Sequence, residues 1–455
     1  MSIGMEAGPF LMGCGAGFSG DRTDAPASVV DAIARSGRLG AIMFETLAER
    51  TLALGHVARR ADPGAGFEPL LAELVGPVLP ACLRAGIPVV GNFGAANPPA
   101  AARLLQRLAL DAGLLPPRIA VVHGDDIRDL DLHGMEAAEG DAGPAGSAAE
   151  LVAANVYLGA RPIADALRAG AEIVVTGRVA DPALALGPLV AHFGWDWDDW
   201  DRLAAGTLVG HLLECGSQVT GGYFADPGYK EVPRPEAIGF PIAEVSADGS
   251  AVITKAPGTG GCVSVRTVTE QVLYEVHDPA SYLTPDVILD VTAVRLRQDG
   301  PDRVAVSGAR GRPAPPSLKA TVSFAGDWIG EAEISYAGPN ALARARLAAE
   351  VIGKRLDLRG LSLRRRLDLI GALSVFDDDR GALAAVAPDL PEVRVRLAVS
   401  GPDRHPVDQA VQEVLALLCC GPAGGGGMRS QVRNRIRTAS CLVPRNRVSP
   451  GWSFL

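Results

Sequence analysis

The segment GHLLECGSQVTGG, residues 210–222, places His211, Glu214 and Cys215 at i, i+3 and i+4. On a helix these three share one face. A His–Glu pair at that spacing can serve as an acid/base couple, or as two of three metal ligands. It can equally be a hydrogen-bonded structural pair. The TGG that closes the segment makes an unusually compact turn and sharpens the first reading.

Three further polar residues sit where apolar runs end. Glu45 closes the run before TLAER, Asn92 follows IPVVG, and Arg178 follows EIVVTG. An Asn or Arg at such a turn can hold a carboxylate or carbonyl oxygen, Arg through its planar fork. The alternatives are structural: an Arg178–Asp181 ion pair holding its turn, or an asparagine bracing the helix start that Asn97 caps. Glu45 joins His211 and Glu214 as a candidate catalytic group. Asn92 and Arg178 are candidate substrate-binding groups, as are Asp21, Arg22 and Lys255 in the glycine-rich stretches below. Glu49, four residues on, is read as a favourable charge at a helix start.

Two glycine-rich stretches could let a backbone approach a ligand closely. In GCGAGFSGDR, Gly13, Gly15, Gly17 and Gly20 precede Asp21 and Arg22. The spacing superficially matches a dinucleotide fingerprint, but Asp21 places a negative charge where a pyrophosphate would sit. Another ligand at this turn, or a purely structural turn, are the other readings. In TKAPGTGGC, Lys255 comes before Gly258, Gly260 and Gly261, the reverse of a Walker A order. An anionic ligand or a plain β-turn would both fit. Near the end, Arg433, Arg435 and Arg437 alternate after the GPAGGGG run at 421–427. On a strand they share one face. They could bind a phosphate-bearing ligand such as coenzyme A or a nucleotide, or pair with acidic groups of the body or a partner subunit.

The elements that must position these groups are visible as patterns. Apolar runs at 9–13, 39–44, 87–91, 119–122 and 172–176 read as strands. Between them, 26–35, 46–59, 66–84, 98–112 and 150–169 read as helices. That alternation means βαβ units and a parallel sheet, whose binding crevice lies at the carboxyl ends of the strands. Residues 128–149 lack large apolar side chains and read as an excursion, a lid or a tolerated insertion. From 220 to 336 short β-branched runs dominate. A helix at 340–356 follows, then a strand at 392–400, a helix at 406–419 and a strand at 429–443. The expected fold class is α/β: a parallel, doubly wound-like N-terminal α/β domain over 1–219, a β-rich region over 220–356 and a small C-terminal α/β domain over 357–455.

Size and charge narrow the function classes. The 455 residues carry a net charge of −9. This disfavours nucleic acid and acidic membrane surfaces as partners. The uncharged stretch 85–102 is broken by Pro88, Pro98 and Pro99, so no spanning helix is expected. The first residues show no basic segment followed by an apolar run, so no export signal is expected. Seven scattered cysteines without a C-x-x-C pair fit reduced thiols in a cytoplasm. The size and apolar fraction make a homo-oligomer the expectation.

Longer strings carry a family resemblance. GAGFSGDR, FETLAERT, NPPAAA, ANVYLGA, TGRVADPAL, GHLLECGSQVTGGYFADPG, IGFPIAEV, TKAPGTGG, YEVHDPASYLTPDV, GPAGGGG and the late LVPR are spread over nearly the whole chain. Together they resemble the acyclic terpene utilisation AtuA family. The resemblance implies a bacterial cytoplasmic protein linked to citronellol and geraniol catabolism, or to another branched acyl-CoA pathway. It brings no assigned reaction and no catalytic residues. The expected function is therefore an enzyme acting on a branched carboxylic acid or its coenzyme A thioester, by hydro-lyase or C–C lyase chemistry. The alternatives are a non-catalytic subunit that binds an acyl-CoA or a partner enzyme, and an NAD-dependent oxidoreductase. No metal is assigned, and no cofactor beyond a possible coenzyme A thioester substrate.

Overall fold

A computed structural model describes residues 8–132, 135–138, 150–375 and 389–455. The chain is mixed α/β and forms two compact units. The first comprises Met1–Ser147, Leu151–Ser323 and Thr438–Leu455; the second comprises Ala148–Glu150 and Phe324–Arg437.

The first unit is built on a ten-stranded sheet. Its centre is parallel. Phe10–Gly17 pairs with Gly40–Glu45, then come Val89–Gly91, Ile173–Val175 and Ile119–His123. These are the five apolar runs, all buried because helices pack against the sheet, which is why they read as continuous apolar stretches. Ile33, Phe44, Leu74, Leu79, Phe93 and Leu105 fill one core beside them. Ala183–Phe193 and Trp200–Glu214 also pack on the first strand. The β-branched middle of the chain extends the same sheet. Pro241–Val245 lies antiparallel to the first strand, followed by Ala251–Lys255, Val304–Ser307 and Arg295–Gln298. At the far edge Gly451–Phe454 runs antiparallel to Ile119–His123.

Among the differences from the sequence patterns, two concern strands. The first strand continues to Gly17, four residues past its expected end, because its partner Gly40–Glu45 keeps pairing with it through Glu45. Residues 150–169 are not one helix. Leu151–Val156 is a strand, and the helix is Arg161–Arg168. A short apolar run suits either element, and here pairing with the strand Ser317–Ala337 decides. Of the excursion 128–149, residues 133–134 and 139–149 lie outside the described residues. Its strand Glu136–Ala137 pairs with Leu442 and Cys441.

In the second unit, Arg364–Ile370, Glu392–Gly401 and residues 324–337 form consecutive antiparallel pairs. Helices Ala341–Leu358 and Arg404–Leu415 cover one face, burying Leu342, Ile352, Val395, Leu397, Val407 and Val411. The alternate strand positions carry a charged ladder: Arg394 with Glu333 at 3.3 Å, Arg396 with Asp368 at 3.2 Å, and Arg433 with Glu331 at 3.7 Å.

Candidate functional site

The carboxyl ends of the parallel strands converge in the first unit. Glu45 ends its strand, and its Oε1 accepts hydrogen bonds from the Leu47 amide at 2.7 Å and from Asn92 Nδ2 at 2.9 Å. Asn92, just beyond the neighbouring strand, also accepts the Thr46 amide at 2.7 Å. Both side chains are buried. Burial raises the Glu45 carboxyl well above the usual range, Asp181 adds to this, and the Asn92 amide opposes it.

Arg178 follows the next strand. Its backbone N–H donates to Asp125 Oδ2 at 2.8 Å. Asp125 in turn accepts from Asn155 Nδ2 at 2.9 Å, and Asn155 Oδ1 lies 3.0 Å from His56 Nε2. This buried chain ties three elements to the turn that carries Arg178. The guanidinium is engaged on both outer nitrogens, while its Nε is buried without a hydrogen-bond partner. Nη1 donates to the Leu47 carbonyl, and Nη2 lies 3.3 Å from Asp181. Its carbon sits 3.9 Å from the centre of the Tyr157 ring, a cation–π contact. Burial works against the charge of Arg178, but Asp181, Tyr157 and Glu49 together hold it protonated. Tyr157 also donates a short hydrogen bond to Glu49. Burial alone would raise Glu49, but Arg178 and the Tyr157 hydroxyl outweigh it and keep the carboxyl below its ordinary value.

His211 and Glu214 lie on the helix Trp200–Glu214, which Asp199 caps and which is buried from Leu203 onward, apart from a partly exposed Ala205. Nδ1 of His211 is 2.8 Å from Oε1 of Glu214. His211 Nε2 and Glu214 Oε2 are buried without a hydrogen-bond partner. The Tyr282 ring stands 5.6 Å from the imidazole, and Gln271 donates to the His211 carbonyl. Burial pushes the Glu214 carboxyl up to about 7 against the pull of His211. For His211, burial opposes the charge, but Glu214 and its hydrogen bond prevail and the imidazole is raised.

These groups meet in one cleft of about 570 Å³. Gly17, Asp21, Glu45, Glu49, Arg178, Asp181, Glu214 and Cys215 line it, with Phe18, Gln218, Tyr223, Tyr274 and Glu275. The strand ends and the His–Glu helix thus share a site. His211 itself stands behind Glu214 and is not on the cleft wall. Asn92 supports Glu45 from below.

The remaining sequence candidates are placed as follows. Gly13 and Gly15 lie within the first strand, where a methyl group would strike Val29 and the Phe44 ring. Gly17 reaches the cleft, and Gly20 sits at a positive φ in the loop beyond. Asp21 folds that loop by accepting the Gly17 amide at 2.8 Å and the Arg22 amide at 2.7 Å. Arg22 pairs with Asp24 and reaches the Ile238 carbonyl. Lys255 is buried away from the cleft wall, 3.2 Å from Asp302 and donating to the Thr259 carbonyl. Gly258 and Gly261 have positive φ, and Gly260 packs on the Arg234 carbonyl. Arg433, Arg435 and Arg437 are exposed on the strand Gly426–Pro444 and belong to the second unit.

Sequence reasoning passed over Glu49, Tyr157, Tyr223, Phe18 and Glu275 as site residues. Nothing in their spacing marks them. Two of them, Tyr223 and Glu275, hold positive φ angles of 58°, unusual for residues with side chains. Among the described residues no cluster of His, Cys, Asp and Glu has the arrangement to hold a metal ion. All seven cysteines are free. No helix among the described residues is long and apolar enough to cross a membrane.

The family model described as "Acyclic terpene utilisation family protein AtuA" matches residues 10–454. The chain belongs to the AtuA family. The match takes in both units, so the cleft lies within the AtuA sequence pattern and is no appended module. No curated protein matches. Among solved structures the de novo designed protein Foldit4 is similar at 12% identity, over 24% of this chain and 96% of that one, with a TM-score of 0.17. At that score it carries no argument about this AtuA-family chain. Family membership connects the chain to acyclic terpene utilisation.

Proposed function

We propose that this AtuA-family chain is a proton-transferring enzyme acting on a branched acyl substrate, a carboxylic acid or its coenzyme A thioester, by hydro-lyase or C–C lyase chemistry. The observation that carries the reading is the His211–Glu214 pair. Its unpartnered oxygen belongs to Glu214, and Glu214 faces the same cleft as Glu45, Arg178 and Asp181. Adding or removing water, or cleaving a C–C bond beside a carbonyl, needs a group that gives and takes a proton near neutral pH. A carboxyl held at about 7 is suited to that work.

The structure also supports a division of labour. Glu214 meets the substrate and carries the proton. His211, enclosed behind it, is a positioning residue that fixes the carboxyl and tunes its affinity for the proton. Glu45, set by Asn92, supplies a second protonatable group in the cleft. The enzyme works in the cytoplasm as a homo-oligomer in this reading.

The test follows proton transfer without requiring the net reaction to be known. Branched hydroxy and enoyl acids and their thioesters are incubated with the full chain in D₂O, and carbon-bound hydrogen exchange is followed by NMR. Exchange that Glu214→Gln abolishes supports the reading. Absence of exchange with every member sinks it. The exposed arginines of the second unit favour a second reading, a non-catalytic subunit that binds an acyl-CoA or a partner enzyme through them.

A further inference from the structure

The cleft is not uniform from mouth to floor. Phe18 is 58% exposed and Tyr223 90%, whereas Glu45 and Glu214 are each 7% exposed and Arg178 3%. Tyr223 is held at a φ of 58°, a strained backbone for a bulky residue, with its ring left in solvent. Two aromatic side chains therefore stand at the entrance, and the buried polar groups lie within.

The wall is lopsided in its groups. The carboxyls of Asp21, Glu45, Glu49, Asp181, Glu214 and Glu275 face it against one guanidinium, that of Arg178. Burial keeps protons on Glu45 and Glu214 to higher pH than usual, while Glu49 is held ionised. Both outer nitrogens of that guanidinium already serve the Leu47 carbonyl and Asp181, and its face lies on the Tyr157 ring. Nε alone is buried without a hydrogen-bond partner, so an incoming anion meets one N–H and no free two-pronged fork. What the floor does offer is hydrogen-bond acceptance, since Glu214 Oε2 is buried without a partner. A carboxylate oxygen accepts a hydroxyl proton readily, and leaving it unmet is costly.

We infer that the cleft takes its ligand with an uncharged, hydroxyl-bearing branched end inward, while any carboxylate or phosphate-bearing end stays outside, beyond Phe18 and Tyr223. The inward hydroxyl meets Glu214, and the hydrocarbon next to it lies against the two rings. An anion brought to the floor would meet the ionised Glu49 and a wall of carboxyl oxygens in a partly desolvated space, which disfavours it. This inference rests on the reading of the cleft as the substrate site and deepens it by naming the end that enters.

The experiment uses two nearly isosteric probes, 3-hydroxy-3-methylbutanamide and 3-hydroxy-3-methylbutanoate. In both, a single methylene joins the amide or carboxylate to the hydroxyl-bearing carbon, so that it must follow the hydroxyl inward. Both are titrated calorimetrically into the full chain at pH 7.5. The amide is expected to bind about tenfold or more tightly than the carboxylate. Glu275→Gln should narrow that gap by improving carboxylate binding. Tyr223→Ala should weaken the amide by severalfold. Carboxylate binding as tight as, or tighter than, that of the amide overturns the inference, as does failure of both probes to bind at millimolar concentration. The outcomes are separable from those of the proposed function. Exchange in D₂O with preferred carboxylate binding would leave the proton-transfer reading standing and this one lost.

Discussion

A methyl group built on Gly17 would lie 2.4 Å from the carbonyl carbon of Cys215. The end of the first strand and the end of the His–Glu helix thus touch backbone to backbone. Only glycine permits that approach, and it brings Glu214 to the strand ends. Gly17→Ala must push the two elements apart. The expected loss of stability is about 1–3 kcal/mol, the usual range for overpacking, read from urea denaturation. Gly37, whose added Cβ would meet nothing within 4 Å, sits at a positive φ and serves as the comparison for backbone strain without a clash.

Glu214→Gln keeps the size and an acceptor oxygen but removes the titratable proton. Turnover, or hydrogen exchange in D₂O, should fall by ~10²–10⁴, the range for a lost general acid/base. A loss of less than severalfold would return the His–Glu pair to a purely structural role.

His211→Gln tests the positioning role through pH. The imidazole opposes the upward push of burial on Glu214. Without it the carboxyl should hold its proton to higher pH. If the ionised carboxylate is the working base, the rising limb of the pH–rate profile moves to higher pH in the variant. A merely structural contact would lower the rate and leave the limb in place.

Asp286 offers a stability test away from the cleft. Both its oxygens accept the Ala160 amide, at 3.0 and 2.9 Å, and burial pushes its carboxyl up to about 6. Its proton is held more tightly in the folded than in the unfolded chain. Its contribution to stability is therefore complete below the ordinary aspartate range and is lost as pH rises through about 6. Asp286→Asn should gain on the wild type between pH 4.5 and 7, by on the order of 1–3 kcal/mol, in denaturation curves recorded across that range.

The arginine strand of the second unit can be probed directly. If Arg433 and Arg435 hold a phosphate-bearing ligand, replacing both by Ala should weaken coenzyme A ester binding by about 1.5–3 kcal/mol per charged hydrogen bond lost. The effect should shrink in high salt, because both side chains are exposed. Unchanged calorimetric affinity would leave these arginines to subunit contacts.

The sequence by itself determined the local features. Five apolar runs bounded by turn residues became five parallel strands, because continuous burial leaves that trace in any short window. The same runs put Glu45, Asn92 and Arg178 at strand ends. The i, i+3 spacing put His211 against Glu214, since a helix repeats every 3.6 residues whatever surrounds it. Only the tertiary structure decided what those residues meet. Ile173–Val175 slots between Val89–Gly91 and Ile119–His123, and that order sets the Arg178 turn beside Asn92 and Asp125. Nη1 of Arg178 then meets a carbonyl 131 residues away, at Leu47. Leu151–Val156 became a strand because Ser317–Ala337 was there to pair with it. Glu49, Glu275, Phe18 and Tyr223 joined the cleft from four separate loops or helix ends. Periodicity is a property of neighbours along the chain, whereas a cleft is made by neighbours in space, and the strand order that relates the two is written in no local pattern.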